Sequence, residues 1–208
     1  MKKRIRQLKP VFDKQNRFIF FGNHKAGLTS IIRYALKDRV ISWKQSKEIY
    51  NQNFSKYSLD DIKKMFKFTV VRNPFDRVVS AFFYLRKYQL VSEKRFHKSS
   101  KKENNIAAFR YFIKNDFKEK GVSINGHFHP MFMYAEYVDF IGRLENIEHD
   151  WKIIADKIQS PIKKLQKRNV INHKIYSLYY DTECIKIVTD IYDEDLKMFG
   201  YKFKGNKK

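Results

Sequence analysis

Cysteine is nearly missing from this sequence. The single thiol among 208 residues is Cys184, which excludes an intramolecular disulfide and a cysteine-rich metal site. Its expected role is that of a small buried apolar residue, and a reducing compartment is permitted. Proline is scarce too, at four residues, and no low-complexity linker breaks the chain. One domain is expected over 1–208, with short basic tails at about 1–10 and 203–208. No apolar run approaches the roughly 20 residues that cross a bilayer, and the opening MKKRIRQLKP has charge with no apolar stretch behind it. The expectation is a cytoplasmic chain, neither anchored by a helix nor exported. Negative charge is also short: 22 Asp and Glu stand against 44 Lys and Arg, a formal net charge of +22. Such an excess attracts polyanions of every kind, from nucleic acid and anionic membrane surfaces to acidic glycans and charged nucleotides. Most of it is scattered and reads as a solvated lysine-rich surface.

What is plentiful is apolar. Hydrophobic residues make up 43% of the chain and aromatics 16%, enough buried surface to offset the entropy of ordering. Three dense runs, FIFF (18–21), FTVV (68–71) and YVDFI (137–141), read as parallel strands buried on both faces. Each precedes a helical pattern: Ile31, Ile32, Ala35 and Leu36; then Val78, Val79, Phe82, Phe83 and Leu85; then Trp151, Ile154, Ala155 and Ile158. Two further helices are expected from Ile106, Phe109, Ile113 and Phe117, and from Ile185, Val188, Ile191 and Tyr192. The polar stretch 92–105 reads as a surface loop. Strand followed by helix, repeated, predicts an α/β domain with a mainly parallel sheet, whose ligands bind at the carboxyl ends of the strands.

Two motifs fall at those ends. In FIFFGNHKAGLTSII (18–32) an apolar strand runs through a glycine-bearing loop into a helix, where unpaired amides and the helix dipole favour phosphate. Gly22, Gly27 and Thr29 fit the nucleotide-hydrolysing pattern G-x-x-x-x-G-K-[ST], but Leu28 takes the lysine position and Lys25 sits inside the loop. By itself this match is weak, and a glycine turn with Thr29 capping a helix explains it equally well. The second motif, VVRNPFDRVVSAFFY (70–84), puts Arg72 at a strand end, Pro74 in the first helical turn, and Arg77 and Ser80 about one turn apart, where an arginine and a hydroxyl can converge on an anion. Arginine suits phosphate because its planar fork donates two hydrogen bonds and keeps its charge. Arg72 and Ser80 read as ligand-binding, whereas Arg77 reads as a surface ion pair with Asp76 or another acid.

With these motifs the sequence resembles the carbohydrate sulfotransferases of Golgi type, sulfotransferase family 2, and their bacterial relatives. His24, Lys25, Ala26, Gly27, Leu28, Thr29 and Ser30 resemble the family's 5′-phosphosulfate loop, P-K-x-x-x-T-S. Arg72, Pro74, Arg77 and Ser80 match its 3′-phosphate motif, R-x-P-x-x-R-x-x-S, at full spacing. HFHP (127–130) resembles H-x-x-P, DFIGRLENIEHDW resembles a strand-then-helix segment, and YYDTECIKIVTDIYDEDLKMFGY resembles the C-terminal segment, all in family order from about residue 18 to 201. The pattern is departed from at His24 for proline, at Leu28 for a small or polar residue, and at Met131 for glutamine.

The resemblance implies a P-loop-like, three-layer α/β domain that moves a sulfuryl group from 3′-phosphoadenosine-5′-phosphosulfate to a carbohydrate hydroxyl without a metal. Lys25 would meet the bridging oxygen, the backbone from Ala26 to Thr29 with the hydroxyls of Thr29 and Ser30 would hold the 5′-phosphate, and Arg72 and Ser80 the 3′-phosphate. Histidine is the natural base near neutral pH. His127 stands at the family position, His129 is close behind, and His24 more simply shapes the loop. Glu145 is expected to be structural, at a helix start. Asn172, His173 and Lys174 lie in a basic loop, with Lys174 a further nucleotide contact. His127-x-His129 has no spaced third ligand, so a metal is not expected. Two rivals stay open. A P-loop kinase or NTPase would lack its lysine at Leu28, and a nonenzymatic polyanion or nucleic-acid binding domain would explain the charge and the aromatics, but the sequence has no helix-turn-helix, zinc-finger or RNP pattern. The acceptor is expected to be a carbohydrate, acidic or lipid-linked, with peripheral membrane contact permitted and no nucleic-acid partner.

Overall fold

A computed structural model describes residues 8, 10–15, 17–36, 40–41, 51, 54–88, 105–162, 164–165 and 173–205. The expected surface loop at 92–105, all but its last residue, lies outside them, as do Asn172 and the outer parts of both basic tails. The strands are β1 (Val11–Asp13), β2 (Phe18–Phe21), β3 (Val40–Ile41), β4 (Phe66–Val71) and β5 (Phe140–Arg143). The helices are α1 (Leu28–Ser30, running on as a π-helical turn over Ile31–Ala35), α2 (Leu59–Lys64), α3 (Pro74–Lys87), α4 (Asn105–Phe112, running on through Ile113–Phe117), α5 (Ile147–Lys157), α6 (Thr182–Ile191) and α7 (Asp193–Phe199). None of the described helices is long and apolar enough to cross a membrane. The described residues divide into two compact units, one within Met1–Val71 and Met133–Asn169, the other within Arg72–Phe132 and Val170–Lys208.

The first unit holds the sheet, in the order β3-β1-β2-β4-β5. β2, β4 and β5 are parallel, with Phe20 opposite Phe68 and Phe68 opposite Phe140, while β1 runs against both of its neighbours. The expected mainly parallel α/β sheet is therefore present. β2 is buried along its whole length because both faces are covered. Phe18 and Phe20 pack with Leu28, Ile31, Trp151 and Ile154 from α1 and α5, and Ile19 and Phe21 pack on the opposite face with Tyr57, Ile62 and Met65. A two-residue side-chain period sends alternate residues into opposite layers. The strand expected over 137–141 is displaced: Phe132–Tyr137 is a 3-10 turn and β5 begins at Phe140. Asp139 ends the turn by accepting the Lys67 amide at 2.7 Å. Neither β1 nor β3 is anticipated by the apolar runs, since both are too short to show a period.

The second unit is helical. Its core brings Phe82 of α3, Phe109 and Phe112 of α4, Phe117, Phe128, and Val188 and Tyr192 of the C-terminal segment together. Asn73 caps α3 by accepting the Phe75 amide at 3.0 Å, and Pro74 follows where its missing N–H costs nothing. Cys184 is wholly buried, and burial pushes its thiol up to about 12, which makes it the inert apolar residue expected.

Candidate functional site

The lysine-bearing loop belongs to the first unit, where β2 ends. Gly27 has φ 82°, and Lys25 has φ 65°, a left-handed conformation unusual for a residue with a side chain. That conformation costs roughly 1–2 kcal/mol, and such strain persists where the surroundings over-determine the backbone. Asn23 is one such constraint. It is buried, and its amide donates to Thr69 Oγ1 at 2.9 Å and to the Val70 carbonyl at 3.0 Å, tying the loop to β4. Thr69 in turn donates to the Phe21 carbonyl at 2.7 Å. Gly22 is needed for close approach: a Cβ there would collide with Leu28 Cδ1 and lie 3.3 Å from Phe20.

Leu28 explains why no lysine follows Gly27. Its side chain is 8% exposed and belongs to the apolar cluster with Phe20 and Ile31, so this position faces the core and only its backbone is offered to a ligand. The first bond of the helical ladder runs from the Ile31 amide to the Gly27 carbonyl at 3.0 Å. The amides of Leu28, Thr29 and Ser30 precede that ladder, and their donors suit a phosphate. Ala26 is buried, its amide directed to the Asn23 carbonyl at 3.4 Å. Thr29 is half-buried and Ser30 buried. Glu145 is exposed in the 3-10 turn Leu144–Asn146 ahead of α5, whose first turn carries Glu148 and Asp150. Asp150, unforeseen, accepts the Arg143 amide at 2.7 Å.

The second unit carries the other motif. Arg72 grips Asp76 with Nε at 2.9 Å and Nη2 at 2.7 Å. The expectation for Arg77 is a surface ion pair with Asp76 or another acid; Arg72 holds the Asp76 carboxylate, and Arg77 does face another acid, Asp195, but is buried at 1% exposure and not on the surface. At the start of α3, residues 72 and 76 are one helical turn apart and share a face, whereas position 77 turns inward. There Arg77 donates to the His127 carbonyl at 3.3 Å and the His129 carbonyl at 2.9 Å, with Asp195 at 3.9 Å. Arg77 is thus turned to the histidine loop and does not converge with Ser80 on an anion. Ser80 is 4% exposed on the same helix. His173 places Nε2 3.9 Å from Asp76 and stacks on Phe83, while Lys174 is exposed, its amide donating to the Tyr179 hydroxyl at 3.2 Å.

The ring of His127 is half-buried and stacked on Tyr84, with centroids 4.8 Å apart. Asn125 Oδ1 accepts the His127 amide at 3.1 Å and stands 2.6 Å from its Nδ1. An amide oxygen has no proton to donate, so Nδ1 carries the ring proton and in the neutral ring the lone pair lies on Nε2. That tautomer suits a base. His129 is exposed, with its carbonyl engaged by Arg77. Asn23 and Asp195 escape a reading by motif because each acts on backbone that only folding brings near, whereas Asn125 acts locally, two residues from His127.

Comparison with known proteins agrees with this picture. A model of the "Sulfotransferase family" matches residues 11–202, a span that includes both motifs and the histidine loop. An uncharacterized protein of Archaeoglobus fulgidus is 31% identical over 103 residues, 48% of this chain and 75% of that protein. No solved structure matches significantly. With a P-loop-like α/β sheet and a family match over nearly the whole chain, this protein belongs to sulfotransferase family 2 and is a transferase of sulfuryl groups.

Proposed function

We propose that the protein transfers the sulfuryl group of 3′-phosphoadenosine-5′-phosphosulfate to a carbohydrate hydroxyl, and that residues 11–202 act as one sulfotransferase domain. The observation that carries this reading is the lysine-bearing loop, with Lys25 and Gly27 left-handed and three amides ahead of the helical ladder. Those amides, with Thr29 and Ser30, take the 5′-phosphate. Arg72 and Ser80 take the 3′-phosphate, with Lys174 a further contact. The basic excess of +22 suits an acidic acceptor, free or lipid-linked.

Transfer is an in-line displacement. Nε2 of His127 accepts the acceptor's hydroxyl proton as the oxygen bonds to sulfur, and the bond from sulfur to the bridging oxygen breaks. Lys25 meets the negative charge that grows on that oxygen, which is where a preorganised cation has most effect. By the analogy with phosphoryl transfer, positioning and electrostatics supply most of the rate. His129, two residues along, is the alternative base.

The test is a thermal-shift titration at moderate salt with 3′-phosphoadenosine-5′-phosphate, AMP, and ATP with magnesium, repeated on Arg72→Ala. Strong stabilisation by the bisphosphate alone, lost in the variant, is expected. Equal, weak and salt-sensitive responses to all three would overturn the reading in favour of polyanion binding.

A further inference from the structure

The amides of His127, Phe128 and His129 are held locally, by Asn125 Oδ1, the Asn125 carbonyl and the Gly126 carbonyl, but the carbonyls of 127–129 and the amides of Met131 and Phe132 are held by side chains distant in sequence. Arg77 of α3 takes the carbonyls of His127 and His129. Tyr192 donates its hydroxyl to the carbonyl between them, that of Phe128, at 2.7 Å. Asp195 accepts the Met131 amide at 2.9 and 3.0 Å and the Phe132 amide at 2.7 Å. The three clamping groups also touch one another. The Arg77 guanidinium lies 5.2 Å from the centroid of the Tyr192 ring and 3.9 Å from Asp195, and Arg77 and Asp195 are 1% and 0% exposed.

This is a costly way to fill a core. Arg77 Nε is buried with no hydrogen-bond partner among the described residues, and taking two charges out of water carries a penalty that packed apolar side chains would avoid. What the charges provide is direction. Three carbonyls and two amides in six residues are pinned by named donors and acceptors, which fixes where the loop lies and hence where the His127 ring stands against Asn125 and Tyr84.

We propose that Arg77 and Asp195 are positioning residues for the sulfuryl transfer: together they hold the 127–132 loop so that His127 presents Nε2 as the base. The inference rests on the proposed role of His127. It gives the second arginine of the R-x-P-x-x-R-x-x-S pattern a duty distinct from that of Arg72, since the helix bearing the 3′-phosphate ligand Ser80 also sets the register of the base. Group placement over a few tenths of an ångström governs such reactions, so a loosened loop lowers the rate while the nucleotide still binds.

The experiment reads the ring directly. In uniformly ¹⁵N-labelled protein, the imidazole nitrogens of His127, assigned by their loss in His127→Gln, are expected to report a single Nδ1–H tautomer. In Asp195→Asn and Arg77→Lys, mixed tautomers are expected, with amide exchange at Met131 and Phe132 accelerated by about tenfold or more. Exchange at the Cys184 amide, which is capped by Asp181, should stay within about twofold as a sign that the unit remains folded. An unchanged tautomer and unchanged exchange at Met131 and Phe132 in both folded variants would overturn the proposal. Arg77→Lys keeps the charge and serves if Asp195→Asn does not fold. Stabilisation by 3′-phosphoadenosine-5′-phosphate is measured on the same samples and should persist. Its absence from the unaltered protein would count against the sulfotransferase reading, whereas the ring and amide signals judge the clamp separately.

Discussion

The loop at 22–30 and the loop at 127–132 are shaped by opposite means. The first is built from its own sequence: two glycines, one lysine in a left-handed conformation, and a leucine that anchors the helix start in the core. Asn23 and Thr69 add a stitch to the neighbouring strand. The second has no left-handed residue, and beyond the local 3-10 turn Gly126–Phe128 it is held by Arg77, Tyr192 and Asp195, which reach it from 50 to 64 residues away in sequence. On the proposed function the first loop offers its amides to a phosphate, and holding it by local geometry leaves those amides available. A loop that must present one ring can surrender its amides and carbonyls to a rigid clamp.

That contrast can be broken most sharply at the clamp. Asp195→Ala leaves the Arg77 charge buried and uncompensated, and a loss of about 3–5 kcal/mol in urea unfolding is expected. A loss below about 1 kcal/mol would mean that the clamp is incidental. Lys25→Gly should do the reverse. Sulfuryl transfer falls by about 10²–10³-fold as the cation is lost, yet relief of the left-handed strain leaves the variant as stable as the parent or up to about 1 kcal/mol more so. Together, initial rates and thermal melts of this variant test whether the strain at Lys25 serves function.

Gly22→Ala probes the local loop without touching charge. Its Cβ meets Leu28 and Phe20, so about 1–3 kcal/mol of destabilisation is expected in the same urea assay. The smallest effect belongs to neither loop. Asp181 caps α6; burial works against its ionisation, but the Cys184 amide and the Lys114 ammonium hold its carboxyl at about 2, below the ordinary 3.8. A depressed carboxylate contributes stability that is present above the unfolded value and lost as pH falls through the folded one. Asp181→Asn keeps the cap and should therefore lose less stability than the parent on acidification from 3.8 toward about 2, with little change at neutral pH. Melting curves across that window decide it.

Much of the first region was legible in the residues alone. The dense run Phe18–Phe21 announced a strand covered on both faces, and Gly22 and Gly27 announced a tight turn behind it, because both depend on neighbours in sequence. The third strand was misplaced because Tyr137, which ends a 3-10 segment, and Val138, just after it, are apolar and pack without being in a strand, and apolar content does not separate a covering turn from a strand. Arg77 was misread for a related reason. Charge predicts exposure unless a buried partner exists, and its partners are the carbonyls of residues 127 and 129, together with Asp195.

Composition and local pattern determined by themselves the α/β class, the basic excess, the place of both motifs at strand ends and the exclusion of an intramolecular disulfide. These follow from periodicity, from counts and from the backbone limits of glycine and proline, which act over a few residues. The tertiary structure alone decided that Leu28 belongs to the core, that Arg77 turns inward to the carbonyls of His127 and His129, and that Asp195 holds the amides of Met131 and Phe132. Each of these depends on which buried donor finds which acceptor. That pairing is settled when the chain closes, because the cost of an unpaired buried group is felt only where water has been excluded.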